Sequence, residues 1–146
     1  MKKKGFTLLE MIIVISIIAL LVGITTPQIS KAMKKSKAMA DVVTANTIAA
    51  TIQEVVLEGG EIKDTGGIWV KISQTGVFTD NTIDLSKYLE GFDKLKPKMN
   101  SSYVFCYKYN AAENKLEIGA GRKDADNNII QTEAYNLYPS LNPAYK

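Results

Sequence analysis

The sequence contains no histidine and only one cysteine among its 146 residues. The absence of histidine excludes Ser-His-Asp and Cys-His nucleophiles, as well as zinc sites that depend on imidazole. The lone Cys106 excludes an internal disulfide and a CxxC redox centre, and we expect it to pack as a small buried apolar side chain. Paired carboxylates, a phosphate-binding glycine loop and redox motifs are also lacking, so we expect a protein that is not an enzyme and needs no cofactor.

The excess of positive charge is confined to the first few residues. The formal net charge is +3, and Lys2, Lys3 and Lys4 account for all of it, because residues 5–146 carry 15 basic and 15 acidic side chains. From residue 60 onward the two signs are again equal, 11 against 11. A nucleic-acid-binding surface needs a basic field to neutralise phosphates. We therefore predict no nucleic-acid partner.

One long apolar run dominates the N-terminal part of the chain. No charged residue occurs from Met11 to Ile24, and Ser16 is the only polar residue in that interval. A membrane-spanning helix needs roughly 20 mostly apolar residues, and Phe6–Ile24 is close to that length. A buried core helix is the alternative, but a helix that is apolar on all sides would need a larger domain to cover it. Lysines before the run predict a single-pass segment with a cytoplasmic N-terminus and an exported remainder.

Two features distinguish this run from an ordinary secretory signal peptide. Such peptides end their apolar region at a small-residue cleavage site, whereas the small residue that could mark a cut here, Gly5, precedes the run. The second feature is Glu10, because an unpaired carboxylate within an apolar run costs on the order of 3 kcal/mol. A cut between Gly5 and Phe6 would place a new amino group one helical turn from Glu10, where the two charges could pair within one chain or between copies. Alternatively, Glu10 lies near the membrane interface and its carboxylate reaches the lipid head groups without pairing with an amine.

The residues KKKGFTLLE, followed by the apolar run, resemble the class III signal of type IV pilins and pseudopilins. In that family a prepilin peptidase cuts after the glycine and methylates the new N-terminal residue. The resemblance therefore implies cleavage between Gly5 and Phe6, N-methylation of Phe6 and a role for Glu10 in subunit assembly. It covers the first third of the chain, and Pro27 falls where such proteins usually place a helix-disturbing proline.

The helical pattern continues beyond this proline to Gly59. Pro27 removes a backbone donor and crowds the carbonyl of Gly23, so we predict a bend or loosening between them. In the second half of this helix, after Pro27, polar residues that include Asp41 and Thr51 are assigned to the solvent-facing side. Apolar residues recur there at spacings of three and four and predict an amphipathic helix, with a stripe of Val42, Ala45, Ile48, Ala49, Ile52, Val55 and Val56.

Alternating apolar residues predict an antiparallel sheet in the C-terminal part of the chain. Segments 103–109 and 115–120 form a hairpin around a polar turn, and a third strand is expected at Ile129–Tyr135. Ile68–Ile72 could be a short helix or a strand, because its apolar residues alternate but Trp69 interrupts the alternation, and we favour the short helix. We interpret Asp84 as the start of a further helical segment.

These patterns predict an α+β fold in which the second half of a long N-terminal helix packs on a small antiparallel sheet. The resemblance implies the same arrangement, the pilin ladle fold. The expected organisation is a leader peptide at 1–5, a transmembrane or filament-core helix at 6–27, its amphipathic continuation at 28–58 and a globular head at 59–146.

A loop rich in aspartate and asparagine follows the hairpin. Asp124, Asp126 and Asn128 could supply oxygen ligands to calcium, which secretion-system pseudopilins often hold in this region. The EF-hand spacing is absent, and such residues are common in turns for local hydrogen-bonding reasons. We favour a turn without a bound metal.

The sequence thus predicts the structural subunit of a type IV pilus. The precursor would reside in the cytoplasmic membrane, be processed by prepilin peptidase, and be polymerised by an assembly platform and motor into a surface fibre for adhesion or twitching motility. One alternative is a pseudopilin of a type II secretion or DNA-uptake machine. The other is a membrane-anchored binding protein that does not polymerise.

Overall fold

The computed structural model describes residues 5–145, so Met1–Lys4 of the predicted leader and Lys146 lie outside the described residues. The predicted α+β architecture, a long N-terminal helix followed by an antiparallel sheet, is confirmed. One helix and four strands follow one another along the chain: α1 (Leu8–Leu57), β1 (Val70–Lys71), β2 (Tyr103–Asn110), β3 (Lys115–Lys123) and β4 (Ile129–Tyr138).

The chain divides into two compact units between Ser36 and Lys37. The first unit contains the apolar part of α1. The second contains the remainder of α1 together with all four strands. Its strand order is β1-β2-β3-β4, and every neighbouring pair is antiparallel.

The predicted hairpin is formed by β2 and β3, which pair without a shift from Tyr103 opposite Arg122 to Asn110 opposite Lys115. In the turn between them, the Asn110 side chain accepts the backbone N–H of Ala112 at 3.0 Å. The predicted third strand is also confirmed. It is β4, which pairs with β3 through two register shifts and extends beyond the expected end to Tyr138.

The helical interpretation of Ile68–Ile72 is wrong, because its central residues form β1. Just beyond β1, the N–H of Ile72 donates to the carbonyl of Phe105 in β2 at 3.1 Å. A free sheet edge satisfies the backbone of so short a segment better than an isolated helical turn can. Trp69, which interrupts the alternation, lies against Gly119, where an added Cβ would be only 2.9 Å from the indole ring.

The expected helical segment after Asp84 is a 3₁₀ turn, Leu85–Lys87. The Asp84 carboxylate accepts the backbone N–H of Ser86 at 2.8 Å, so its predicted role as a helix cap is confirmed.

The hydrophobic core of the second unit lies between α1 and one face of the sheet. Residues from α1 and from the strands meet there, each at most 5% exposed: Ala45, Ile48, Ala49, Ile52, Val55, Phe105, Tyr107, Ile118, Ala120 and Leu137. Burial of a side chain such as Ile48 contributes about 1.5–3 kcal/mol. The predicted stripe is correct over its centre but wrong at Val56, which lies in the last helical turn and is 39% exposed.

Cys106 is fully buried in β2, as expected for a small apolar side chain. Burial raises the pKa of its thiol well above the ordinary value, which keeps the group protonated.

A buried carboxylate, Asp41, joins two distant segments to α1. The side chain is 1% exposed, so its assignment to the polar side of the helix is wrong. Its Oδ1 accepts the N–H of Lys98 at 2.6 Å, and its Oδ2 accepts the N–H of Met99 at 2.9 Å and the hydroxyl of Tyr145 at 2.6 Å. A buried carboxylate without donors would be strongly destabilising. Asp41 is tolerated inside because the loop and the C-terminal tail supply three donors.

We expect Asp41→Ala to lower the free energy of unfolding by about 3 kcal/mol, because two backbone N–H groups and a phenol then lose their acceptor. Chemical denaturation of the full chain in detergent micelles, followed by Trp69 fluorescence, measures the change. The control is Asp126→Ala, which removes an exposed carboxylate and should change stability by less than about 0.5 kcal/mol. Equal effects of the two substitutions would contradict the role assigned to Asp41.

The bond between Tyr145 and Asp41 should make stability sensitive to alkaline pH. Burial, and then the hydrogen bond to Asp41, raises the pKa of the Tyr145 phenol above its ordinary value. The folded chain therefore holds this proton more tightly than the unfolded chain, and the stabilisation is complete below about pH 10 and declines above it. We expect the stability difference between the wild type and Tyr145→Phe to be constant between about pH 6 and 9, then to shrink. A difference that grows as the pH rises would overturn this assignment.

Candidate functional site

The candidate site is the start of α1, where the predicted cleavage bond and Glu10 lie together. Gly5, Phe6 and Thr7 precede the helix, which begins at Leu8. Phe6 is 80% exposed. The peptide bond between Gly5 and Phe6 therefore lies in accessible, non-helical backbone, which is where proteolytic cleavage is favoured.

Glu10 is hydrogen-bonded to Thr7 in both directions. Glu10 Oε2 accepts the backbone N–H of Thr7 at 2.7 Å and its hydroxyl at 2.9 Å, while Thr7 Oγ1 accepts the N–H of Glu10 at 3.3 Å. This reciprocal pair is a capping box of the form T-x-x-E. It satisfies donors that the first helical turn would otherwise leave without partners.

The capping box supplies Glu10 with polar partners inside its own chain. Thr7 is not among the residues singled out above, although the T-x-x-E spacing is readable from the sequence and would have identified it. Both contacts from Thr7 use one carboxylate oxygen. An ionised carboxylate has about four acceptor positions, so Glu10 can accept a further donor such as an amine without losing the cap.

The helix that follows exposes apolar side chains on all sides. Its most apolar 18-residue window has a mean hydropathy of 2.7, and none of that window is buried. By length and composition the segment can cross a membrane. Its large side chains are about half to four-fifths exposed, among them Leu8, Ile15, Leu20 and Ile24.

The hydroxyl groups within this apolar segment bind the helix itself. Ser16, Thr25 and Thr26 each donate to the carbonyl four residues earlier, at 2.7–2.9 Å. Polar groups in hydrocarbon need such internal partners, because no water is present to replace them. The segment is therefore suited to lipid, or to the apolar interior of a protein assembly.

The predicted bend at Gly23 and Pro27 lies in a helix that continues through both residues. Pro27 has no N–H, so the carbonyl of Gly23 lacks its usual helical donor. The Thr25 and Thr26 hydroxyls bind carbonyls of the preceding turn, a pattern that favours local bending. Both features weaken the backbone hydrogen bonding of the helix between Gly23 and Pro27, and the bend stays a prediction.

The calcium candidates lie in a hydrogen-bonded turn between β3 and β4. Asp124 Oδ1 accepts the N–H of Asn128 at 2.9 Å, and the N–H of Asp124 donates to the carbonyl of Asn128 at 2.9 Å. Asp126 is exposed nearby. Within residues 5–145 no group of three His, Cys, Asp or Glu side chains is placed to hold a metal. The expectation that Asp124, Asp126 and Asn128 form a turn without a bound metal stays a prediction.

We expect Thr7→Ala to destabilise the first turn of α1 by about 1 kcal/mol, because the capping box is lost. Amide hydrogen exchange of the chain in detergent micelles should then be about fivefold faster at Glu10 and Met11 and unchanged beyond Ile18. Ser16→Ala is the matched control, since it removes a hydroxyl from the same helix without affecting the cap. Unchanged exchange in Thr7→Ala would show that the cap does not stabilise the helix start.

Comparison with known families identifies this same region. Residues 1–26 match the prokaryotic N-terminal methylation motif, which includes the cleavage bond, Glu10 and the whole apolar run to Ile24. No solved structure matches the chain significantly. Residues 1–26 therefore carry the methylation motif that forms the class III signal peptide of type IV pilins, at the start of a chain of α+β architecture.

Proposed function

We propose that the chain is the structural subunit of a type IV pilus. A prepilin peptidase cuts between Gly5 and Phe6 and methylates the new amine of Phe6. The precursor waits in the cytoplasmic membrane with its N-terminus inside, and an assembly platform and motor move it into a helical fibre of identical subunits at the cell surface. There the fibre serves adhesion or twitching motility.

One coincidence carries this proposal. The methylation motif at residues 1–26 contains the accessible cleavage bond, and only Phe6 and Thr7 lie between that bond and the exposed apolar helix that begins at Leu8. Cleavage at that bond removes the leader lysines and leaves the apolar helix at the very start of the mature chain. After cleavage, the N-terminus of the apolar segment carries a single amine. Such a segment leaves the bilayer more easily than the uncut one, whose three lysines would have to cross the hydrocarbon.

The exposed apolar helix suits both states of the subunit. A bilayer and a bundle of copies each surround it with apolar groups, so extraction exchanges lipid contacts for helix–helix contacts with a small net change in free energy. The internal hydrogen bonds of Ser16, Thr25 and Thr26 persist through that exchange, because they need no partner outside the helix.

Glu10 sets the axial position of one subunit against the next. Its carboxylate is held by Thr7 within the chain, and cleavage creates a positively charged amine on Phe6 of a neighbouring copy. Pairing of these charges in apolar surroundings is strongly favoured over leaving either one alone. The capping box keeps the carboxylate at the helix start before that partner arrives.

Two single substitutions separate the charge of Glu10 from its role in the capping box. Glutamine can still accept the Thr7 hydrogen bonds, so Glu10→Gln keeps the cap and removes the charge. Thr7→Ala weakens the cap and keeps the charge. We expect Glu10→Gln to be cleaved normally but to yield at least about tenfold less fibre, since a lost ion pair in apolar surroundings exceeds about 1.4 kcal/mol. Thr7→Ala should retain most of its fibre.

The measurement compares fibre sheared from cells with total processed subunit in immunoblots. Normal fibre from Glu10→Gln would refute charge pairing as the basis of assembly. The pseudopilin alternative would be favoured over the pilus by two results together. Fibres would be short and seen only on overproduction, and deletion of the chain would abolish protein secretion or DNA uptake. A processed chain that never polymerises would refute both.

A further inference from the structure

A cavity of about 410 Å³ opens where the chain leaves β1. Half of its lining residues are apolar, among them Ile48 of α1, Phe92 and Val104. Lysines and one aspartate also line it: Lys71, Lys96, Lys123 and Asp93. We call this the lysine cavity. Its volume lies within the range of small-molecule sites, which combine a mostly apolar wall with a few polar groups.

The three lysines come from separate parts of the chain. Lys71 belongs to β1, Lys123 ends β3, and Lys96 lies in the loop before β2. From residue 60 onward the sequence has equal numbers of basic and acidic residues, so general basicity does not explain why three lysines line one cavity. Asp93 is the single carboxylate of the lining, and its Oδ1 accepts the amide of Gln74 at 2.8 Å. The cavity is therefore net positive.

The described ion pairs do not involve these lysines. Within residues 5–145 the ion pairs use Lys108, Lys115 and Arg122 as cations. The lysines of the cavity thus have no carboxylate of their own within salt-bridge distance there, and Lys123 alone has a neutral partner, because its Nζ donates to Asn127 Oδ1 at 2.5 Å. An oxyanion is the ligand type that meets this unmatched charge.

The backbone that carries the lysines is held in place before any ligand binds. Two of them lie in hydrogen-bonded strands. The loop that carries Lys96 is fixed just beyond it, because Asp41 accepts the N–H groups of Lys98 and Met99 and Pro97 is buried. A preformed site loses less entropy on binding, which favours a specific ligand.

We propose that the lysine cavity binds a small organic anion, with a carboxylate or phosphate at the lysines and an apolar body against Ile48, Phe92 and Val104. The oxyanion pairs with the lysine ammonium groups, and the apolar body covers the apolar side chains of the cavity and excludes water from them. This binding is independent of cleavage and polymerisation, so it does not rest on the pilus function.

The test uses the full chain in zwitterionic detergent micelles and four probes. Benzoate and phenyl phosphate combine an oxyanion with an apolar ring, benzyl alcohol has the ring without the charge, and inorganic phosphate has the charge without the ring. We expect at least one of the two aromatic anions to shift the backbone amide resonances of Ile72, Leu95 and Val104 with a Kd of about 1 mM or tighter. Added salt should weaken this binding. Comparison of the two anions shows whether the site prefers a carboxylate or a phosphate.

The decisive variant is the double substitution Lys71→Gln with Lys96→Gln. It should weaken binding at least about tenfold, because two charge-assisted contacts are lost. The matched control, Lys63→Gln with Lys87→Gln, removes the same charge from lysines outside the cavity and should leave the Kd unchanged. Equal weakening in both variants would overturn the proposal, and so would a failure of both aromatic anions to bind. Binding of benzyl alcohol as tight as benzoate would refute the role of charge, and inorganic phosphate as tight as phenyl phosphate would refute the role of the apolar wall.

Discussion

The removal of one apolar helix surface from water is the constraint on which the whole protein depends. The first part of α1 exposes large apolar side chains on every side, and its most apolar window has no buried residue. Water is an unfavourable surrounding for such a surface, so the segment requires apolar surroundings such as the interior of a bilayer. The polar groups it carries agree with this requirement, because its hydroxyls bind carbonyls of the helix and the Glu10 carboxylate binds Thr7 just before it.

The second unit meets a different constraint, which is to cover one face of a short amphipathic helix with a four-stranded sheet. Its apolar core would fit several arrangements of the surrounding loops. Asp41 narrows that choice, because three donors from the loop at Lys98 and Met99 and from Tyr145 must meet one buried carboxylate. A conformation that misplaces any of them leaves buried polar groups without partners. The same contacts fix the backbone that carries one side of the lysine cavity.

Features that depend on neighbours in sequence could be predicted, and features that depend on distant partners could not. The apolar run, the β2–β3 hairpin and the Asp84 cap follow from local spacing, and the structure has all three. The strand β1 exists because β2 offers a free edge, and a two-residue strand has no pattern of its own. Asp41 looks like a polar surface residue until its donors, 57, 58 and 104 positions away, are known. Thr7 is the exception, since its capping signal is local and readable.

The most direct test of the account is the intact mass and cellular location of the native chain. Membranes, sheared surface fibres and cytosol are separated, and the intact mass of the chain from each fraction is measured by mass spectrometry. The account requires the chain in membranes and in fibres, with the fibre form beginning at Phe6 and carrying one added methyl group. A chain found dissolved in the cytosol and still beginning at Met1 would contradict it.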